Sequence, residues 1–252
     1  MNPNDLALSA FQWGVFTLAM AAAGFVQGVT GFGFAIVAMA ILPLPAILGD
    51  FQAAFMVVGV TSVIIPFFIV SAHRKEFVFR PMILLLVSAM VGTVVGFALM
   101  DQLSDARGFL RGFGACLVIF AIADLWLRKA KDTKMPPWMA LPCGILSGLF
   151  GGAFNMGGPP LVAFVYSQPW SMGRIIASLQ IVFLASSILR LSMMGGNGYF
   201  QGYNLALAGL GMIPTAVGLV VGTKLLPYLP PQSLRQGVLV IVALLGIWYL
   251  VM

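Results

Sequence analysis

The sequence predicts an all-α polytopic membrane protein of two inverted repeats, each a glycine-broken helical hairpin followed by three transmembrane helices. Three observations lead there. Hydrophobic residues make up 61% of the 252 and charged residues only 8%, against about 25% charged in soluble domains, and mean hydropathy is +1.04. The apolar residues form continuous runs rather than alternating ones, which selects helices over a barrel. A pattern of glycines recurs between the two halves of the chain.

Eight apolar runs are read in order: 11–48, 51–72, 82–100, 112–127, 138–168, 175–194, 205–226 and 236–252. The first and fifth are too long for one crossing. At 1.5 Å per residue they would extend roughly 57 and 46 Å, against a hydrocarbon core of about 30 Å. Each is interrupted by glycine: Gly24, Gly28, Gly31 and Gly33 in the first, Gly144, Gly148, Gly151, Gly152, Gly157 and Gly158 in the fifth, where Pro159 and Pro160 follow. Glycine costs a helix about 1 kcal/mol and proline about 3, so both runs are expected to kink or fold back. The six remaining runs are ordinary spans.

The repeat rests on three matches in the same order. Gly24, Gly28 and Gly31 recur as Gly144, Gly148 and Gly151, an offset of 120. Gly92 and Gly96 recur as Gly218 and Gly222, an offset of 126, and Leu110-Arg111 recurs as Leu234-Arg235, an offset of 124. Residues 1–127 are thus the first repeat, 128–137 a basic cytoplasmic linker and 138–252 the second repeat.

Lysine and arginine favour the cytoplasmic side of a membrane. Eight single crossings would place seven of them on one side and five on the other. If each broken run instead returns to its own side, one face holds Arg74, Lys75, Arg80, Arg128, Lys129, Lys131, Lys134, Arg174, Lys224 and Arg235, and the other only Arg107, Arg111 and Arg190. The hairpin arrangement is therefore expected, with both termini outside. It has an odd number of crossings per half, so the repeats are inverted. The two hairpins then enter from opposite faces, and their tips meet near the midplane, the plan of many secondary transporters.

Several chemistries are excluded. Cys116 and Cys143 lie inside apolar runs, and His73 is the single histidine, so neither disulfides nor a metal site is expected. The basic residues fall between runs, which speaks against nucleic acid. The N-terminus lacks a basic stretch, so no removable signal peptide is expected. Ser147-Gly148 follows Ile145 rather than glycine, and His73 sits in a connector, so a serine hydrolase is not expected, nor any cofactor.

The breaks themselves offer chemistry. At each tip a second helix begins with unpaired N–H groups and partial positive charge, which suits an anion. Pro159 and Pro160 fit a first helical turn, leaving the N–H groups of Leu161 and Val162 as expected donors. Gly31, Gly33, Gly157 and Gly158 admit a ligand to the backbone, and Gln27, Thr30, Ser147 and Asn155 supply neutral side-chain donors. The first limb of each hairpin brings its negative end to the same place, so dipoles alone do not fix the sign of the ligand. Gly24 is expected to be a packing position that tolerates alanine. Gln180 is either a contact between helices or a contact to substrate. Arg190 either snorkels to the outer interface or meets an anion.

The segments GFVQGVTGFGFAIVAMAILPLP at 24–45 and GILSGLFGGAFNMGGPPLVAFVYSQP at 144–169 resemble the paired signatures of the TauE/SafE family of bacterial membrane permeases. The resemblance runs along the whole chain. It implies export of sulfite, or of an organosulfonate such as sulfoacetate, across the bacterial inner membrane. It implicates Gln27, Gly28, Thr30, Gly31, Gly33, Asn155, Gly157, Gly158, Pro159 and Pro160 in substrate binding, beside Gln180 and Arg190 from the residue reading. The expected partners are a small anion, the lipid bilayer and a second copy in a homodimer. An anion channel and an uptake carrier for another small anion are the alternatives. No Asp, Glu or His lies mid-run to relay protons, which favours export down the membrane potential.

Overall fold

A computed structural model of the chain describes residues 8–31, 33–73, 79–127, 134–200, 202–225, 228 and 231–252. Among the described residues there is no β-strand, and there are eleven α-helices. They are α1 (Ala10–Thr30), α2 (Phe34–Ile41), α3 (Phe51–Thr61), α4 (Ile64–His73), α5 (Phe79–Leu103), α6 (Arg107–Leu127), α7 (Ala140–Phe154), α8 (Gly158–Tyr166), α9 (Met172–Gly196), α10 (Gly202–Leu225) and α11 (Pro231–Val251). A short 3-10 turn, Pro137–Met139, precedes α7. The chain is an all-α polytopic membrane protein. By length and composition, five described segments can cross a membrane: Ala10–Thr30, Met82–Leu103, Pro137–Phe154, Gly173–Gly196 and Gly202–Leu225. Arg74 and Lys75, and residues 128–133 of the basic linker, lie outside the described residues.

Both long runs break and fold back. Helix α1 starts on a capping box between Ser9 and Gln12 and ends where Gly31 turns left-handed at φ 76°, its N–H returning 2.8 Å to the Gln27 carbonyl. Helix α7 ends in the same way at Asn155, φ 59°, with its N–H 3.1 Å from the Gly151 carbonyl. Asparagine is among the few side chains that occupy this conformation readily. After each break the chain returns to its starting level. The Gln12 side chain donates to the Ile47 carbonyl at 3.0 Å, joining the start of α1 to the turn beyond α2. Likewise Met135 N–H donates to Ser167 Oγ at 3.3 Å, and Gln168 Nε2 to the Met135 carbonyl at 3.2 Å. Each broken run is therefore a hairpin.

The expected single span at 51–72 is two helices. Helix α3 is capped by Asp50, whose carboxylate accepts from the N–H groups of Gln52 and Ala53. It stops at Thr61, and α4 resumes at Ile64. Pro66 explains the interruption. It has no N–H for the carbonyl four residues back, that of Ser62, and its ring would clash there, whereas the first turn of a new helix accepts it.

The helices form two compact units that do not follow the halves of the sequence. One contains α1, α2, α3, most of α6, α10 and α11; the other contains α4, α5, α7, α8 and α9. In the first, α1 lies backbone to backbone on α10. A Cβ on Gly28 would stand 2.5 Å from the Leu219 carbonyl oxygen, and one on Gly24 would collide with the Thr215 carbonyl. In the second, α7 lies in the same way on α5, through Gly144, Gly148 and Gly152 against Leu85, Ala89 and Thr93. Membrane helices gain nothing from burying apolar surface out of lipid, so close approach through glycine, with Cα–H···O contacts, is what holds such pairs.

The packing partners also set the correspondence between the two contacts. Gly92 meets Ile145 and Leu149, and Gly218 meets Ala21 and Phe25; Gly96 meets Leu149 again, and Gly222 meets Phe25 again. The offset is 126 between α5 and α10 but 124 between α1 and α7. The sequence match at 120 is thus one helical turn out of step with the packing. Glycines spaced by four superpose in either register, which is why the match looked complete. In the packed register Gly31 corresponds to Asn155, and Gln27 to Gly151.

Candidate anion site at the hairpin tips

The first tip is closed by its own side chains. Gln27 is buried, and its amide spans the break: Nε2 donates to the Gly31 carbonyl at 3.1 Å, and Oε1 accepts from the Phe34 N–H at 3.1 Å. One neutral group thereby serves the last carbonyl region of α1 and the first donor of α2. Thr30 Oγ1 donates back to the Val26 carbonyl at 2.8 Å. Gly28 packs on α10 and offers a ligand no approach. Gly31 and Gly33 both have positive φ, 76° and 110°, and a Cβ on Gly31 would meet nothing within 4 Å. Of the five residues expected to bind substrate here, only Gly31 has open space at its Cα, and its N–H and carbonyl are both taken up by Gln27.

The second tip is built differently. Ser147 spends its hydroxyl on the Gly157 carbonyl, and a Cβ on Gly157 would lie 2.6 Å from the Ser147 carbonyl oxygen. These contacts tie the start of α8 to the middle of α7. Asn155 is buried at the turn, Gly158 is buried, and Pro159 and Pro160 are half-buried. The helix begins at Gly158 with Gly157 as its N-cap. Pro159 and Pro160 carry no N–H, so the donors that this end leaves outside the helix are those of Gly157 and Gly158. Leu161 and Val162, expected as free donors, are the fourth and fifth residues of α8.

Arg190 supplies a charge. It is only 4% exposed, so it does not snorkel to an outer interface. Its guanidinium reaches the second tip: Nη1 donates to the Gly151 carbonyl at 3.1 Å, and Nη2 to Ser187 Oγ at 3.3 Å and Ser62 Oγ at 3.4 Å. Gly151 lies in the last turn of α7, where partial negative charge collects, and Arg190 sets a full positive charge against it. Ser62 lies at the break between α3 and α4. Arg190 thus links the last turn of α7 to Ser62, both in the second unit. Gln180 is buried on α9, two turns before Ser187, and its Oε1 has no hydrogen-bond partner among the described residues.

Ser62 and Ser187 escaped the sequence reading. Ser187 precedes Arg190 by three residues and so shares its helix face. Ser62 was signalled by Pro66, four residues on, as the place where the helix gives up a carbonyl.

Comparison with known proteins places this geometry. The model of the sulfite exporter TauE/SafE family matches residues 16–249. The chain belongs to the TauE/SafE family. It is 23% identical over 158 residues to a probable inner membrane transporter protein, TsaS, of Comamonas testosteroni, covering 62% of this chain and 66% of that protein, just under two thirds of its length. It is 21% identical over 226 residues to a probable sulfite/organosulfonate exporter, TauE, of Cupriavidus necator, covering 88% of each. No solved structure matches. The TauE/SafE match takes in both hairpins and all the glycine contacts, and it makes the chain a membrane transporter.

Proposed function

We propose that this protein is a secondary carrier of the inner membrane, that it exports a small sulfur-containing anion such as sulfite or an organosulfonate, sulfoacetate among them, and that it is not an enzyme. The family and the names of the two relatives support the substrate class. The single observation that carries the reading is the buried guanidinium of Arg190 at the second tip. An ionisable group held within the membrane is costly, and such groups mark substrate and ion paths. Asn155, Gly157, Gly158, Pro159, Pro160 and Gln180 are assigned with it to substrate binding, and Gly31 and Gly33 to ligand approach at the first tip. An inside-negative potential expels a univalent anion with about 2.3 kcal/mol per 100 mV, so export needs no coupling ion. The repeats are inverted in this reading, with both termini outside and residues 128–137 in the cytoplasm.

The test is flux in proteoliposomes. Sulfite or sulfoacetate should leave vesicles under an imposed inside-negative potential, at a rate that saturates with concentration. Non-saturating flux would indicate a channel, and flux of carboxylates alone would remove the sulfur specificity. Asn155→Gly should keep the left-handed turn and delete the carboxamide. Apparent affinity should fall about ten- to a hundredfold, the range for hydrogen bonds to charged groups. Asn155→Asp should be weaker still, because a carboxylate repels an anion.

A further inference from the structure

The two tips differ at corresponding positions. Gln27 and Gly151 each offer the carbonyl to which the left-handed turn residue returns its N–H, at Gly31 and Asn155 respectively. At the first tip the side chain of that very residue closes the break with a neutral amide. At the second the residue is glycine and has no side chain. There a charge comes from outside the hairpin: Arg190 on α9 donates to the Gly151 carbonyl itself, the counterpart of Gln27's own carbonyl.

Three of the bonds that Arg190 makes are long for a guanidinium. Its bonds to Gly151, Ser187 and Ser62 are 3.1, 3.3 and 3.4 Å long and go to uncharged oxygens. Charge-assisted bonds from guanidinium to an oxyanion run about 2.7–2.9 Å, and two form at once on the planar fork. Leaving is also cheap for the oxygens concerned. The Gly151 carbonyl keeps the Asn155 N–H, 3.1 Å away. Ser187 lies within α9, where a serine hydroxyl can bond to the carbonyl of the preceding turn.

We propose that Arg190 is a displaceable latch: without substrate it is held on the Gly151 carbonyl, Ser187 and Ser62, and an oxyanion takes the guanidinium from those three oxygens, freeing the end of α7. This rests on the proposed anion transport and adds its selectivity and timing. The second tip responds to substrate through the charge of Arg190, whereas Gln27 closes the first with an amide that carries no net charge. The recognised feature is a pair of oxygens sharing negative charge on one atom, as sulfite and sulfonates present.

The sign of one substitution separates a latch from a scaffold. Binding of sodium sulfite and sodium sulfoacetate to the purified protein is measured calorimetrically at constant ionic strength, with sodium chloride as control. Ser187→Ala removes a competitor for the guanidinium, so the anion should bind about two- to tenfold tighter. Unchanged or weaker binding overturns the latch. Arg190→Gln should bind at least about tenfold more weakly, and Arg190→Lys should fall between, since an ammonium cannot present the fork. Full affinity in a folded Arg190→Gln protein overturns it as well. If Arg190→Gln fails to fold, Ser187→Ala and Arg190→Lys decide. If the unsubstituted protein binds neither anion, the transport reading itself falls. If it binds and only the Ser187→Ala sign is wrong, transport stands and the latch does not.

Discussion

Gly24 shows how a residue's neighbours overrule its type. The sequence suggested a packing position tolerant of alanine, but a Cβ there would drive into the Thr215 backbone. A rigid neighbour cannot yield as a side-chain end can. Gly24→Ala should destabilise by about 1–3 kcal/mol, the usual cost of overpacking, and lower the melting temperature in detergent by several degrees. Gly31→Ala meets open space and suffers only from its positive φ, about 1 kcal/mol. Its melting temperature should lie between those of Gly24→Ala and the parent. Gln27→Leu removes two hydrogen bonds at once and leaves the buried Phe34 N–H without its acceptor. It should cost about 1–3 kcal/mol per group left unpaired, yet the anion-induced rise in melting temperature should survive. Loss of that rise with the fold intact would place the first tip in direct contact with substrate.

Among the elements, the hairpins were legible and the α3–α4 break was not. Length against bilayer thickness exposed the two broken runs, because helix rise and membrane width are both fixed. The interruption at 62–63 hid inside a run of unremarkable length, marked by Pro66 alone. Pro66→Ala would return an N–H to the position four residues after Ser62 and remove the ring. Hydrogen exchange around 62–66 should slow, and the protein should melt at a higher temperature. An unchanged exchange pattern would mean that Arg190 and the surrounding packing hold the break without the proline. The packing register was likewise illegible. Glycines at a spacing of four match themselves one turn out of step, and only the carbonyls they face tell the two registers apart. The proposed anion site was half visible. The sequence marked Arg190 as one of two basic residues inside a run, with Lys224 near the end of another, but no sequence pattern aims it at Gly151 from thirty-nine residues away.

For the whole molecule, the proposed topology is checked by labelling. Single cysteines placed in 128–137 should react only from the cytoplasmic side, and cysteines near either terminus only from outside, in a protein without Cys116 and Cys143. A cytoplasmic N-terminus would refute the arrangement. The mixed make-up of the two compact units carries a different consequence, in assembly and descent. The hairpin of the first half rests on α10 of the second, and the hairpin of the second rests on α5 of the first. A fragment ending in the linker therefore leaves α1 and α5 each without the glycine-faced partner it packs against. Fragments 1–127 and 138–252 should each be degraded when made alone and persist when made together. A forebear with one half per chain could have sheltered its hairpin only by lending it to a second copy, so joining two such chains would have turned an exchange between molecules into one within a molecule.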